Sequence, residues 1–161
     1  GPNTIAEKMA ASFTDIAVAC MMIGFSRGIL VVLQSGHIID TIVYGISIPL
    51  HYFPSWVASE AMLIVQTLLN FLIPSGSGQA VTSMPIMAPL ADLVGVSRQV
   101  SVLAFQFGDG LSNIVWPTAM APIMCGIAGV KIEKWWKFIV PIFLALLVTQ
   151  GVLIGISTIV F

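Results

Sequence analysis

Charge is what this sequence has least of: Asp, Glu, Lys and Arg make up 8% of its 161 residues, against roughly a quarter in soluble domains. A water-soluble domain of this size could not cover its surface with so few ionic groups. Six Lys and Arg against seven Asp and Glu give a net charge of −1, which leaves no basic surface for nucleic acid. Cysteine is nearly absent. Cys20 and Cys125 lie in apolar runs, where a thiol behaves as a small hydrophobe, and neither has a His or Cys neighbour at ligand spacing, so no disulfide framework, zinc site or heme is expected. Catalytic parts are missing too: Ser77 in Gly-Ser-Gly falls short of the Gly-x-Ser-x-Gly elbow, and neither His37 nor His51 is placed near it. The chain is therefore not expected to be an enzyme or to hold a resident cofactor. No basic segment followed by a short apolar core opens it, so no signal peptide is expected, and Gly1-Pro2 reads as a tag scar or as an interior point of a longer protein.

What is there is apolar. Hydrophobic residues make up 58% of the chain and the mean hydropathy is +1.03. Runs of the roughly 20 residues that cross about 30 Å of hydrocarbon recur along the whole length, which implies an all-α membrane protein with several crossings. Thr4 and Glu7 fit a capping box, with a helix starting near Ile5. Residues 16–33 read as a crossing stopped by Gln34-Ser35-Gly36. Residues 37–50 alternate between apolar and polar faces in the way of a helix lying in the membrane interface, with Pro49 at its end. An apolar helix over 56–73 runs into Pro74-Ser75-Gly76-Ser77-Gly78-Gln79, and another follows to about residue 94. A turn of small, uncharged polar residues suits a re-entrant hairpin, because broken backbone persists at membrane depth only within protein or beside water. Residues 97–107 are helical, Gly108-Asp109-Gly110-Leu111-Ser112-Asn113 interrupt them, and 114–127 resume: a discontinuous helix. Trp135 and Trp136 among Lys131, Glu133, Lys134 and Lys137 form an interfacial belt, and 138–161 is a last crossing. Lys8, Lys131, Lys134 and Lys137 share one face, with Arg27 and Arg98 toward the other, so the lysine face is cytoplasmic and the hairpin enters from outside.

The two breaks are complementary. Ser75, Gly76, Ser77, Gly78, Gln79 and Thr82 surround the first; Gly108, Asp109, Gly110, Ser112, Asn113 and Thr118 surround the second. Half-helix N-termini offer amides to anions, and C-terminal ends offer carbonyls to cations. A carboxylate such as Asp109 costs at least roughly 2.5–3.5 kcal/mol at the bilayer centre. A sodium ion near Asp109 and Asn113, a proton, or a substrate amine would offset that cost. No Lys, Arg or His sits in either break, so a carboxylate substrate would rely on amides, hydroxyls and helix dipoles. Plainer readings stand beside these. Gly76 and Gly78 serve close packing, Asp109 caps a helix or pairs with Arg27 or Ser112, Arg27 snorkels, and Glu60, Asp92 and Arg98 are solvated at the outer face. On those readings the chain is a membrane-embedded assembly or anchoring subunit that binds no solute. A channel is disfavoured because the turn has no ring of charge.

The run Phe71-Leu72-Ile73-Pro74-Ser75-Gly76-Ser77-Gly78-Gln79 resembles the C4-dicarboxylate anaerobic carrier family, as do Met84-Pro85-Ile86-Met87-Ala88-Pro89-Leu90-Ala91, Ala104-Phe105-Gln106-Phe107-Gly108-Asp109-Gly110-Leu111-Ser112-Asn113 and Trp116-Pro117-Thr118. The YfcC-like branch, named for basic amino acid antiport, looks most similar. Gly24-Phe25-Ser26-Arg27-Gly28-Ile29 also resembles a family segment, although the family usually has Ala where Ser26 stands. The resemblance implies membership of the ion transporter superfamily, whose members carry two inverted repeats and move by an elevator mechanism. This chain is similar to the C-terminal repeat: residues 1–54 would be a scaffold helix and an interfacial helix. Residues 55–130 would be a transport unit made of the hairpin (55–95) and the broken helix (97–129), and 131–161 a C-terminal transmembrane helix. Its partners would be the N-terminal repeat, a second copy in a homodimer, the lipid bilayer and a small anionic or zwitterionic substrate. Its activity would be secondary transport of C4-dicarboxylates or amino acids, as antiport or symport coupled to sodium or protons, as a multi-pass protein of the bacterial inner membrane.

Overall fold

A chain with so little polar surface can place its backbone in an apolar medium only by pairing N–H and C=O groups locally, and helices do this. The computed structural model describes residues 1–50 and 52–161. Side chains are described for all of these except 11, 12, 14–16, 18–20, 22, 23, 26, 27, 29, 30, 39, 40, 43, 46 and 47. Readings placed on Cys20, Ser26, Arg27 and His51 lie outside the described residues. Among the described residues there is no strand. The helices are α1 (Pro2–Ser35), α2 (Ile38–Leu50), α3 (Ser55–Leu72), α4 (Gly76–Leu93), α5 (Arg98–Ser112), α6 (Met120–Ile127) and α7 (Ile132–Val160). Among the described residues, α3 and α7 are long and apolar enough to cross a membrane.

Several boundaries differ from the sequence reading: Gly76, Ser77, Gly78 and Gln79, read as part of the turn, form the first turn of α4, and α7 begins at Ile132 where 138 was expected. Helix α1 starts at Pro2 with no side-chain cap, so Thr4 and Glu7 lie inside it and form no capping box; Pro2 at the first helical position already has the required φ and lacks a donor to satisfy. Helix α5 runs unbroken through Gly108 and Gly110 to Ser112, and the interruption covers 113–119. The break follows Pro117, which lacks an N–H and disfavours helix at the residue before it. Gly108 has a different task. A Cβ there would stand 2.8 Å from the Thr67 amide nitrogen and 2.8 Å from Gln66 Cβ, so its absence lets α5 lie directly on α3.

The core is built from α3, α4, α5 and α7, with Met62, Leu63 and Leu69 of α3, Met87 of α4, Val100 and Ala104 of α5 and Ile154 of α7 all buried. Helix α3 packs most extensively on α5; α7 lies against both, α6 against α1 and α7, and α2 against α4. Between α2 and α4 lies a groove of ≈ 550 Å³ lined by Tyr44, Ile48 and Tyr52 on one side and Pro85, Ile86 and Pro89 on the other. Phe138, Val148, Val152 and Ile159 of α7 are exposed, as apolar side chains facing lipid would be.

Contacts between helices fix their relative heights. Thr158 Oγ1 donates to Ser59 Oγ at 2.8 Å, and Glu60 lies against Gly151 and Gly155. The start of α3 thus sits beside the end of α7. Gln150 Nε2 donates to the Phe107 carbonyl at 3.4 Å, level with the Gly108 contact to Thr67. Counting at about 1.5 Å per residue from Ser59 and Thr158, the end of α3 comes level with α7 near Ala145, leaving ~20 Å of α7 beyond it. Helices α3 and α5 therefore end at the same height, part-way along α7.

Because Gly108 is a contact glycine, Gly108→Ala should lower the stability of the full-length protein by about 1–3 kcal/mol through overpacking. Gly110, with nothing within 4 Å of a built Cβ, should accept Ala with no loss, as helical positions do. Thermal unfolding of the two variants checks this; equal effects would place both glycines in the same role.

Candidate functional site

Every helix leaves four amides and four carbonyls without partners at its ends, and the outward ends here are closed by standard means. Gly95, at φ +71°, follows the C-cap of α4, and the Val96 amide bonds to the Ala91 carbonyl at 2.9 Å. Gly129, at φ +64°, does the same for α6, with the Val130 amide on the Cys125 carbonyl at 2.9 Å. Both are Schellman closures, which need the left-handed conformation that glycine adopts freely. At the outer turn, Ser97 accepts from the Val100 amide and Arg98 grips the exposed Asp92 carboxylate, the shortest contact being 2.6 Å.

The turn between α3 and α4 is less fully closed. Ser75, the N-cap of α4, makes no side-chain cap bond, and the first α4 amide in the ladder is Gln79, on the Ser75 carbonyl at 2.7 Å. The amides of Gly76, Ser77 and Gly78 lie ahead of that ladder. Pro74 has no N–H, so the Asn70 carbonyl at the end of α3 has no i+4 donor.

Asp109 joins these ends. Its side chain is buried, at 8% exposure, on the last turn of α5. Asn70 Nδ2 of α3 donates to Asp109 Oδ1 at 2.5 Å. Oδ2 faces the start of α4: a Cβ on Gly76 would fall 2.9 Å from it, so only glycine lets the hairpin tip come this close. Asn70 Oδ1 is buried and has no partner, and its amide cannot be turned over without setting that oxygen against the carboxylate. Among the described residues, no cationic side chain pairs with Asp109. Two C-terminal helix ends, one N-terminal end, a carboxylate and an unpartnered amide oxygen thus meet at one point. Such a point offers oxygen ligands to a small cation and amides to an anion.

The other residues expected at the site divide. Ser77 and Gly110 are exposed, and Ser75 and Gly78 are half-buried. Thr82 donates to the Gly78 carbonyl and Ser112 to the Gly108 carbonyl, each within its own helix. Asn113 Nδ2 donates to the Asp109 carbonyl, and Thr118 Oγ1 donates to the Phe71 carbonyl at 2.7 Å. Gln79 is turned into the hairpin: its Nε2 donates to both the carbonyl and the Oε1 of Gln66 at 2.8 Å, and Ser83 donates to the same Oε1. It pins the two arms together. Gln66 and Asn70 were not singled out as site residues, although their spacing of four in an apolar helix puts both on one face. Glu60, expected to be solvated, is half-buried and rests against the two glycines of α7.

A profile of the family described as C4-dicarboxylate anaerobic carrier matches residues 3–159. This chain belongs to that family. It is 43% identical over 140 residues to the protein named "Putative basic amino acid antiporter YfcC" of Escherichia coli (strain K12), which covers 80% of this chain and 28% of that protein. It is also 33% identical over 153 residues to an uncharacterized protein of Haemophilus influenzae, which covers 95% of this chain and 30% of that one. A third relative, "Inner membrane protein YbhI" of Escherichia coli (strain K12), is 26% identical over 82 residues. The chain spans under a third of the length of these relatives, and no solved structure matches it.

The close approach at the tip sets a test. In the full-length carrier, Gly76→Ala should displace the Asp109 carboxylate and cut uptake at least about tenfold, as misplacement by an ångström does in preorganised sites. Gly78→Ala, whose built Cβ meets only ordinary contacts at 3.4 Å or more, should retain most of it. Similar uptake by the two variants would remove Gly76 from the site.

Proposed function

We propose that this chain is the C-terminal half of a secondary active carrier of small carboxylate-bearing metabolites, C4-dicarboxylates or amino acids, in the bacterial inner membrane. The meeting of the uncapped start of α4 with the ends of α3 and α5 on Asp109, beside the unpartnered Asn70 Oδ1, carries the reading. In a membrane such a point is stable only where protein, water or solute supplies the missing partners. The cation takes the oxygen side, formed by Asp109 and Asn70. The substrate carboxylate takes the amide side at Gly76, Ser77 and Gly78, where the α4 dipole favours negative charge. Binding of one charge lowers the cost of the other, which is the physical root of coupling.

The height of the hairpin tip supports re-entrance, since α3 turns back while ~20 Å of α7 continues past it. The packing supports a moving unit in which α3, α4, α5 and α7 travel together. An N-terminal repeat would supply the facing half of the site, and an elevator displacement would carry the site between faces. Names of relatives support both substrate classes, one through the family description and one through YfcC.

The test is thermal unfolding of the purified full-length carrier in sodium against potassium, with C4-dicarboxylates and basic amino acids as ligands. A ligand at about 100 times its Kd adds roughly 2.7 kcal/mol to the folded state, so a sodium-dependent rise with one class identifies ion and substrate together. Asp109→Asn should abolish that rise and uptake while leaving the unliganded protein at least as stable, because the variant buries no charge. Lost stability in the absence of ligand would instead make Asp109 a packing residue and favour the anchoring-subunit reading.

A further inference from the structure

An indole N–H placed in an apolar medium needs an acceptor; two tryptophans here spend theirs on one segment, and a third, within it, spends its own on α3. Trp135 Nε1 donates to the Ile114 carbonyl at 2.9 Å and Trp136 Nε1 to the Val115 carbonyl at 2.9 Å. Adjacent helical residues project about 100° apart, yet these two reach consecutive carbonyls, so the first turn of α7 lies broadside across the break. From the same break, Trp116 Nε1 donates to the Thr67 carbonyl at 2.8 Å, and Thr118 Oγ1 reaches the Phe71 carbonyl. Phe71 and Trp116 also meet edge to face, with centroids 5.4 Å apart. These contacts form one line from α7 through the break to the end of α3.

We infer that Trp135 and Trp136 are positioning residues: they clamp the 113–119 segment and, through Trp116 and Thr118, fix where α3 ends, so that the start of α7 sets the spacing between Asn70 and Asp109. The inference rests on the reading of that point as the transport site. It changes the meaning of the two tryptophans, which by composition alone are membrane-interface anchors. Their rings can anchor, but their N–H groups serve the site.

Trp135→Phe and Trp136→Phe keep a ring and remove the donor. In the full-length carrier in lipid nanodiscs, each should raise hydrogen–deuterium exchange about fivefold over 113–119 and also over 70–79, as expected when a hydrogen bond that restrains local opening is lost. Trp56→Phe, at an exposed position on α3, should raise neither. Exchange that rises only within α7, rises evenly through the molecule with a lowered melting temperature, or does not rise, overturns the clamp. Uptake measured on the same variants separates the two layers. Faster exchange at 70–79 with wild-type uptake would keep the clamp and sink the site; unchanged exchange with lost uptake would sink the clamp and keep the site.

Discussion

In hydrocarbon, a backbone N–H or C=O without a partner costs several kcal/mol, and this constraint organises the molecule. It makes the chain helical and turns each helix end into a problem with few solutions. At Gly95 and Gly129 the solution is local, a left-handed glycine closing the turn. Around the break after α5 and at the end of α3 it is remote: indole and hydroxyl donors from other parts of the chain occupy the carbonyls of Ile114, Val115 and Phe71. At the start of α4 neither solution is used, and this uncapped end faces a carboxylate. The proposed site lies where the protein leaves amides and the Asn70 Oδ1 unpaired.

Much of the architecture was legible because apolar run length and punctuation by Gly, Pro and Ser are strong signals. The helix–turn–helix of α3 and α4 and the final long helix fall near where those signals put them, although Gly76 to Gln79 belong to α4 and the last helix starts at Ile132. The second break was misplaced by several residues because glycine is ambiguous: Gly108 and Gly110 looked like a gap, whereas Gly108 serves helix contact and Pro117 makes the break. Asp109 was visible as an acid in an apolar run. Its partner Asn70 lies 39 positions away, and such a pairing depends on how helices stack, which no local pattern encodes. The donors from Trp135 and Trp136 were hidden for the opposite reason, since tryptophan beside lysine is so common at interfaces that it suggests nothing more.

Glu60 illustrates how small residues work in such a fold. Glycines four apart on a membrane helix usually admit a neighbouring backbone. Here a Cβ on Gly151 would stand 3.0 Å from Glu60 Oε2, and one on Gly155 would stand 3.4 Å from Oε1, so the notch receives a side chain. Together with the Thr158 to Ser59 hydrogen bond at 2.8 Å, it joins the end of α7 to the start of α3, while the tryptophans join the start of α7 to the break.

The two arms of the hairpin are mechanically unlike. Helix α3 contains neither glycine nor proline and is fastened to α5 and α7 along its length. Helix α4 carries Pro85 and Pro89 on its exposed side, facing the groove toward α2, and each proline removes one rung of the helical ladder. One arm is a beam and the other a leaf spring with clearance behind it. Bending within the hairpin will therefore be taken up by α4 beyond Ser83, past the bonds from Gln79 and Ser83 that hold its first turns to Gln66 of α3.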